Sequence, residues 1–537
     1  MRIRTDKSSF GLSLFVAQIC NLLYRRFVIG GPSKYSSPLA GSPELKIFDF
    51  RFSIFNQTPD STPIPPRRQS GSVLIIVLWI AFGLVALALY FADSMNLELR
   101  ASDNRVCAQS ADQAIEGAAR YINCVLATEI ANGSNGAVPG VATYVHEAVP
   151  VGDAHFWLIG RDTTNINSQT RMCFGLVDEG SRLNLNTASS NAISWLPRMT
   201  SDLMQGIIDW RDTNGGGSTA TYYAIQQPSY VCKNYPFETV DELRLVYGAD
   251  MDILIGEDAN RNGVLDPNEN DDNQNRQIDP GVLEFFTVYS REPNTNSSGS
   301  TRLNIATGVT AAQVRSVLTN IPDITTERVT AILGNLGLSS SPGAVQGTGG
   351  RGAPTTPTTP GGAGGLGAAP SVARFRSPLL FYVQSGMNST EFASVFTNLT
   401  TVDTSFIEGR VNINTASYAV LTCLLNGDTA AAQQLVNYRL ANPNNLTSIA
   451  WLVDALGQGY ASDLQALEAG DYITTQSYQF SADVAALGPH GRGYRRVKFV
   501  FDTSSGVPQI VYRQDLTHLG WALGADVRQK WLFAKGT

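Results

Sequence analysis

From Ser72 to Phe91 the chain runs SVLIIVLWIAFGLVALALYF without a single charge, and this stretch limits where the protein can fold. A helix needs about 20 apolar residues to cross a ~30 Å hydrocarbon layer. Lipid offers no partner to backbone polar groups, so a spanning helix that bonds within itself is expected. The alternative, the core helix of a soluble domain, normally keeps a polar face, and this run has none. Arg67 and Arg68 precede it while Asp93 and Glu98 follow it. The positive-inside bias therefore keeps the N-terminal flank cytoplasmic and exports the rest. A cleaved signal peptide is the competing reading, with Ala86 and Ala88 as its small-residue site.

The helical pattern continues beyond Phe91. There is no proline before Pro139, and Ala111, Ile115, Ala118, Ile122 and Val125 recur at helical spacing. A helix from Ser72 to about Ile130 would be ~90 Å long, its outer half packed on a globular part. The chain of 537 residues is too long for one ordinary core, and about two to four domains are expected. Its 49 glycines, 25 prolines and 16% charged residues point to abundant turns and linkers. A net charge of −7 gives no general attraction for a phosphate backbone. The six cysteines contain no CxxC pair; one bridge, Cys173 to Cys232, or buried free thiols are both compatible with that spacing.

The order Arg-Arg-Gln-Ser-Gly71 followed by Ser72 and an apolar, then amphipathic, helix resembles the type IV prepilin leader. The resemblance implies cleavage between Gly71 and Ser72 by a prepilin peptidase, with the helix retained. Most of these proteins carry Glu at mature position five, where this chain has Ile76. That absence resembles the minor pseudopilin K family of type II secretion systems. Two departures stand: family leaders are short, yet no methionine follows Met1 before Gly71, so translation starts nearer Arg67 or the leader, residues 1–71, is long. The mature chain would also begin with Ser rather than an aromatic residue or Met.

The segment 139–183 reads as the first part of a sheet, with strands in Ala148 to Gly160 and Met172 to Val177. A phrase then recurs: Arg182-Leu-Asn-Leu-Asn-Thr-Ala188, Arg302-Leu-Asn-Ile-Ala-Thr307 and Arg410-Val-Asn-Ile-Asn-Thr-Ala416. Its alternation suits a short extended segment, and its Asn or Thr is expected to cap the helix that follows. Such phrases resemble those of helix-hairpin-helix and SAM-like modules, including DNA receptors. The turn Leu196-Pro197-Arg198-Met199 lacks the glycine-rich, basic character of a DNA-binding hairpin, so no nucleic acid is expected. Pseudopilin K carries similar modules as an insertion in its sheet. The helical insertion is placed at 184–336, a Gly/Pro/Thr-rich flexible linker at 337–371, a second SAM-like module at 372–470 and strands completing the sheet at 471–523. The fold class is therefore α+β, a pilin-like long N-terminal helix packed on a small antiparallel sheet with a large helical insertion.

The most chemically specific stretch begins at Asp258. Asp258, Asn260, Asn262, Asp266 and Glu269 occupy positions 1, 3, 5, 9 and 12 of an EF-hand loop, with Gly263 at the sharp turn and the Val264 carbonyl at position 7. Calcium takes six to eight oxygens at ~2.3–2.6 Å, which a curled loop of this spacing can supply. A solvated Asn/Asp-rich turn is the competing reading. A second copy, Asp271, Asn273, Asn275 and Asp279, has Arg276 in place of the glycine and Val282 in place of the terminal Glu. The family resemblance also implies calcium in the helical part, as a structural staple. No HExxH, P-loop or GxSxG pattern is present, so no enzyme is expected.

The resemblance implies a single-pass inner-membrane protein with its large C-terminal part in the periplasm. It also implies the minor pseudopilins I and J as partners in a tip complex that starts and caps the pseudopilus. The alternatives are a minor pilin of a type IV pilus or DNA-uptake machine, and a calcium-dependent exported enzyme.

Overall fold

The computed structural model describes residues 72–162, 172–215, 217–338, 372–524, 526, 527 and 530. Gly71, the expected leader and residues 339–371 of the expected linker lie outside them. The chain divides into two compact units at Arg105 and Val106. Helix α1, Ser72–Ala131, supplies the described part of the first unit, and its residues from Val106 on belong to the second. It is the one helix among the described residues long and apolar enough to cross a membrane. In the first unit Leu74, Trp79, Phe82 and Leu87 are all exposed, as a lipid-facing or helix-packing surface requires.

In the second unit the apolar stripe of α1 becomes a core. Ala111, Ala114, Ile115, Ala118, Ile122 and Leu126 are buried against Phe156, Leu158, Phe480, Val484, Phe499 and Phe501. The stripe rotates onto Leu126 where the spacing alone pointed to Val125, which is half-buried beside it. The small residues let the helix lie close to the sheet, and Gly117 faces Val151 so tightly that a methyl group there would sit 3.1 Å from its Cγ1.

That sheet has six strands: β1 (Val149–Val151), β2 (Ala154–Ile159), β3 (Val177–Asp178), β4 (Gln479–Leu487), β5 (Arg495–Asp502) and β6 (Gln509–Asp515). Their order is β1-β2-β4-β5-β6, with β3 also paired to β4, and every pairing is antiparallel. Two departures from the sequence reading stand out. Ala148 to Gly160 forms a hairpin around Gly152 (φ +60°), and Met172 to Leu176 is irregular apart from a bridge between Phe174 and Ile159. Alternation sends Phe156 and Leu158 to the helix face, and Trp157 and Ile159 to the opposite face. There they meet Ala522 and Leu523. The nine residues of β4 are all buried because both faces of this central strand are covered. At the edge, Val511 bulges out of the β5–β6 register and Arg513 and Asp515 are exposed, devices that blunt a free strand.

Between β3 and β4 the chain builds three helical pairs on the repeated phrase. The pairs are α2 (Ser190–Ser194) with α3 (Ser201–Arg211), α4 (Ala311–Leu318) with α5 (Thr326–Asn335), and α6 (Tyr418–Leu424) with α7 (Thr429–Ala441). All of them contribute to one hydrophobic core running from Leu183 to Ile473. The caps differ from expectation. Ser189, Thr310 and Ser417 cap the helices that follow the phrases, accepting from Ala192, Gln313 and Val420 N–H respectively.

The phrase asparagines instead close tight turns. Asn184, Asn304 and Asn412 Oδ1 accept from the N–H of Asn186, Ala306 and Asn414 at 2.9, 2.9 and 3.0 Å. Each phrase pairs in parallel with a second two-residue strand, Phe286–Thr287, Leu399–Thr400 or Ile473–Thr474. The threonines repeat the trick: Thr287, Thr400 and Thr474 Oγ1 accept from Tyr289, Val402 and Gln476 N–H at 3.1, 3.3 and 3.2 Å. Strands this short have few ladder bonds, so the side-chain turns hold their ends.

Candidate functional site

The calcium-type loop leaves the short helix Met251–Ile255 and curls so that its acceptors take backbone N–H groups. Asp258 Oδ1 and Oδ2 accept from Asn262 and Gly263 N–H at 2.9 and 2.8 Å. Asn260 Oδ1 accepts from Asn262 N–H and Asn262 Oδ1 from Val264 N–H. Arg261 and Gly263 both have positive φ, +55° and +80°, and the glycine sits where the bend is sharpest. Asp266 Oδ2 receives both Asn260 and Asn262 Nδ2, at 2.7 and 3.0 Å. Glu269 closes the loop, its two oxygens accepting from Asn260 and Asp266 N–H. The structure thus brings Asp258, Asn260, Asn262, Asp266 and Glu269 into one curl.

Burial pushes the carboxyl of Asp258 up, with Arg161 pulling the other way, and burial does the same at Glu269. Among the described residues no three His, Cys, Asp or Glu side chains are grouped as a ready metal cluster. The loop's donors are instead a mixture of carboxylates, carboxamides and a carbonyl, an all-oxygen set whose hardness fits calcium rather than a thiophilic metal.

The second copy, thirteen residues on, adopts the same curl. Asp271 accepts from Asn275 and Arg276 N–H, Asn273 Oδ1 from Asn275 N–H, and Asp279 Oδ2 from Asn273 and Asn275 Nδ2. Arg276 takes the glycine's left-handed place at φ +60°. The missing terminal glutamate has a substitute that the spacing could not reveal. Buried Glu257, one residue before the first loop, accepts from Asp272 and Asp279 N–H at 2.8 and 2.9 Å. Glu269, the last residue of the first loop, closes that loop; Glu257 closes the second. Only a rule that let a carboxylate outside the twelve-residue window serve could have found it.

The first loop is bolted to the sheet. Arg496 on β5 is fully buried and forked on Asp483 of β4, with Nε to Oδ1 at 2.8 Å and Nη2 to Oδ2 at 2.5 Å. Its remaining N–H groups donate to the carbonyls of Asn260 and, at 2.7 Å, Arg261. Arg161 donates to the same Arg261 carbonyl at 2.9 Å while paired with Glu284. From the other side Asn262 Nδ2 donates to the Ala522 carbonyl at 3.0 Å. Next to it a cavity of about 90 Å³, lined among others by Arg161, Arg182, Lys498, Glu284 and Asp483, separates insertion from sheet. Burial opposes ionisation of Glu179 and Glu284. Lys498 and Arg182 around the first, and Arg161 and Arg182 around the second, nevertheless hold both near 2.

The helical hairpins have a left-handed residue at the same place in each turn: Arg198 (φ +60°), Asp323 (φ +55°) and Asn426 (φ +52°). Two of the turns are consumed inside the molecule. Arg198 pairs with Asp272 and Glu257. Gly427 (φ +90°) is sealed by Trp195, whose Cε3 would lie 2.5 Å from a methyl group placed there, and Asn191 Nδ2 donates to Asn426 Oδ1 at 2.6 Å. Arg211 holds the Leu185 and Ala188 carbonyls, and Arg439 holds those of Ile413 and Ala416, the same positions of their phrases. The first and third pairs are thus built alike and packed on each other. Asp209 accepts from Thr219 N–H, Thr219 Oγ1 and Gln205, so it fixes a loop. Cys232 is a free thiol, so the expected bridge from Cys173 to Cys232 is not formed.

Fold and site together define an α+β protein in which a long, apolar-headed helix carries a small antiparallel sheet and a bulky helical insertion bolted to it. Residues 181–254, which include the first phrase and first helical pair, match the family model for the type II secretion system (T2SS), protein K. The family matched over this segment is the one that the leader and repeated phrase resemble. No curated protein matches the sequence. Among solved structures, the GspK-GspI-GspJ complex from the enterotoxigenic Escherichia coli Type 2 Secretion System is similar over 78% of this chain and 99% of that one, at 9% identity and a TM-score of 0.37.

Proposed function

We propose that this chain is a minor pseudopilin of a type II protein secretion system, joining pseudopilins I and J in the tip complex that initiates and caps the periplasmic pseudopilus. The observation that carries this is the match of residues 181–254 to protein K, a secretion component and not a member of an enzyme class. The long helix on an antiparallel sheet supports a pilin-like subunit, and the paired helices of the insertion support SAM-like modules. On this reading α1 is held in the inner membrane as a single pass until it moves into the filament. Ile76 in place of Glu suits a subunit with none above it, because no neighbouring amine needs a carboxylate there. The bulk of the insertion would block addition above it.

The rival reading, a minor pilin of a DNA-uptake machine, needs hairpin turns open to phosphate. Two of the three turns are closed by Trp195, Glu257 and Asp272. Calcium is the structural ion of this proposal, taken by Asp258, Asn260, Asn262, Val264, Asp266 and Glu269, with Asp271, Asn273, Asn275 and Asp279 as a weaker second set.

The test is Gly71→Leu. It should leave an unprocessed chain in the membrane and abolish secretion, whereas the natural protein should begin at Ser72 on N-terminal sequencing. Normal processing of the variant would overturn the leader assignment, and retained secretion the tip role.

A further inference from the structure

We infer that Arg496, whose guanidinium binds the backbone carbonyls of Asn260 and Arg261 and not the oxygens assigned to the ion, is a positioning residue that sets the affinity of the Asp258–Glu269 loop for calcium. This rests on the calcium reading above and goes beyond it, since it assigns the loop's geometry to the sheet.

The argument is one of preorganisation. A free loop of this kind must lose backbone freedom at each residue when it curls around an ion. Here the costliest bend is already made. Arg261 stands in the left-handed region at φ +55°, and the carbonyls on either side of that bend, Asn260 and Arg261, are both gripped by the one guanidinium. A guanidinium is a planar fork, so fixing it fixes both carbonyls. Arg496 is fixed in turn: it is wholly buried and bound by both oxygens of Asp483, on the neighbouring strand of the same sheet. Arg161 reinforces one of the two carbonyls and is itself held by Glu284. The line of support thus runs from the most covered strand, β4, through β5 to the third and fourth positions of the loop.

Electrostatics pulls the other way. A guanidinium close to the loop repels a divalent cation, although Asp483 offsets its charge. The two effects make opposite forecasts, which gives the experiment its power. If geometry rules, Arg496→Lys, which keeps the charge and loses the fork, should weaken calcium binding by about 10-fold or more, the size seen when outer-shell partners of metal ligands are removed. Arg496→Met should weaken it at least as much. If charge rules, Lys should change nothing and Met should tighten binding.

The measurement is calorimetric titration of the full chain in detergent micelles with calcium chloride. Circular dichroism of each variant should show that the fold is retained. Asp483→Asn, which loosens the fork from one side only, serves as the milder variant and should give an intermediate loss. Unchanged affinity in both Arg496→Lys and Asp483→Asn, or tighter binding in Arg496→Met, overturns the inference while leaving the calcium reading intact. No calcium binding by the natural chain overturns the calcium reading itself, and the inference with it.

Discussion

Replacing Glu292 by Gln tests the most charged point of the helical core. Glu292 is buried on the short strand Arg291–Pro293 between two buried arginines. Its Oε1 accepts from Arg302 Nη1 at 3.3 Å and from Arg410 Nη1, and its Oε2 accepts from Thr474 Oγ1 at 3.2 Å. These arginines head the second and third phrases, so one carboxylate serves two repeats. Removing one partner of a buried ion pair costs about 3–5 kcal/mol because the other charge is left in a poorly solvating place. Arg410 keeps Asp471 at 2.5 Å, and Arg302 keeps the Thr295 carbonyl at 3.2 Å. The low end, about 3 kcal/mol, is therefore expected. With a urea dependence of about 3 kcal/mol per M, the transition should move down by about 1 M. Trp451, buried in the same core and donating to Asn414, provides the fluorescence signal. Replacing Glu292 and Arg302 together by Met should recover most of the loss, since both desolvation costs go while Arg410 keeps Asp471. A loss below about 1 kcal/mol for Glu292→Gln, in the range of exposed pairs, would refute this account of the cluster.

Gly427→Ala should cost about 2–4 kcal/mol, from the left-handed backbone at φ +90° and the contact with Trp195. Adding Trp195→Ala should return only the steric share, readable as a coupling in a double-mutant cycle of urea midpoints. Acid should loosen the insertion from the sheet. Glu179 and Glu284 stand near 2 against an ordinary 4.5, so the stability they contribute is present above about pH 4.5 and is lost as pH falls towards 2. Hydrogen exchange around Arg161, Arg182 and Lys498 should rise in that window. Unchanged exchange there would show that the network does not hold the two layers together.

What the sequence shows and what it withholds divides along a physical line. The apolar run, the stripe from Ala111 to Ile122, the three C-terminal strands and the calcium-type loop are local patterns. Each is set by neighbours within a turn or two, and each is found close to its expected place. Partners far along the chain leave no such mark. The phrase announces a short strand, but nothing local says that Leu183 must lie beside Phe286 or Val411 beside Ile473. The spacing of the second loop omits its terminal carboxylate, because Glu257 supplies it from before the first.

The arginine that opens each phrase makes the same point in energetic terms. It is buried in all three copies, so the chain must provide a carboxylate for it, and the phrase alone cannot say which. For Arg182 the partners are Glu179 and Glu284; for Arg302 the partner is Glu292; for Arg410 they are Glu292 and Asp471. A repeated motif therefore fixes a repeated need, and the shared Glu292 turns that need into the joint between the second and third helical pairs. Separating those pairs would strand a buried charge, which is why they form one core despite the long segment, residues 339–371, between them in sequence.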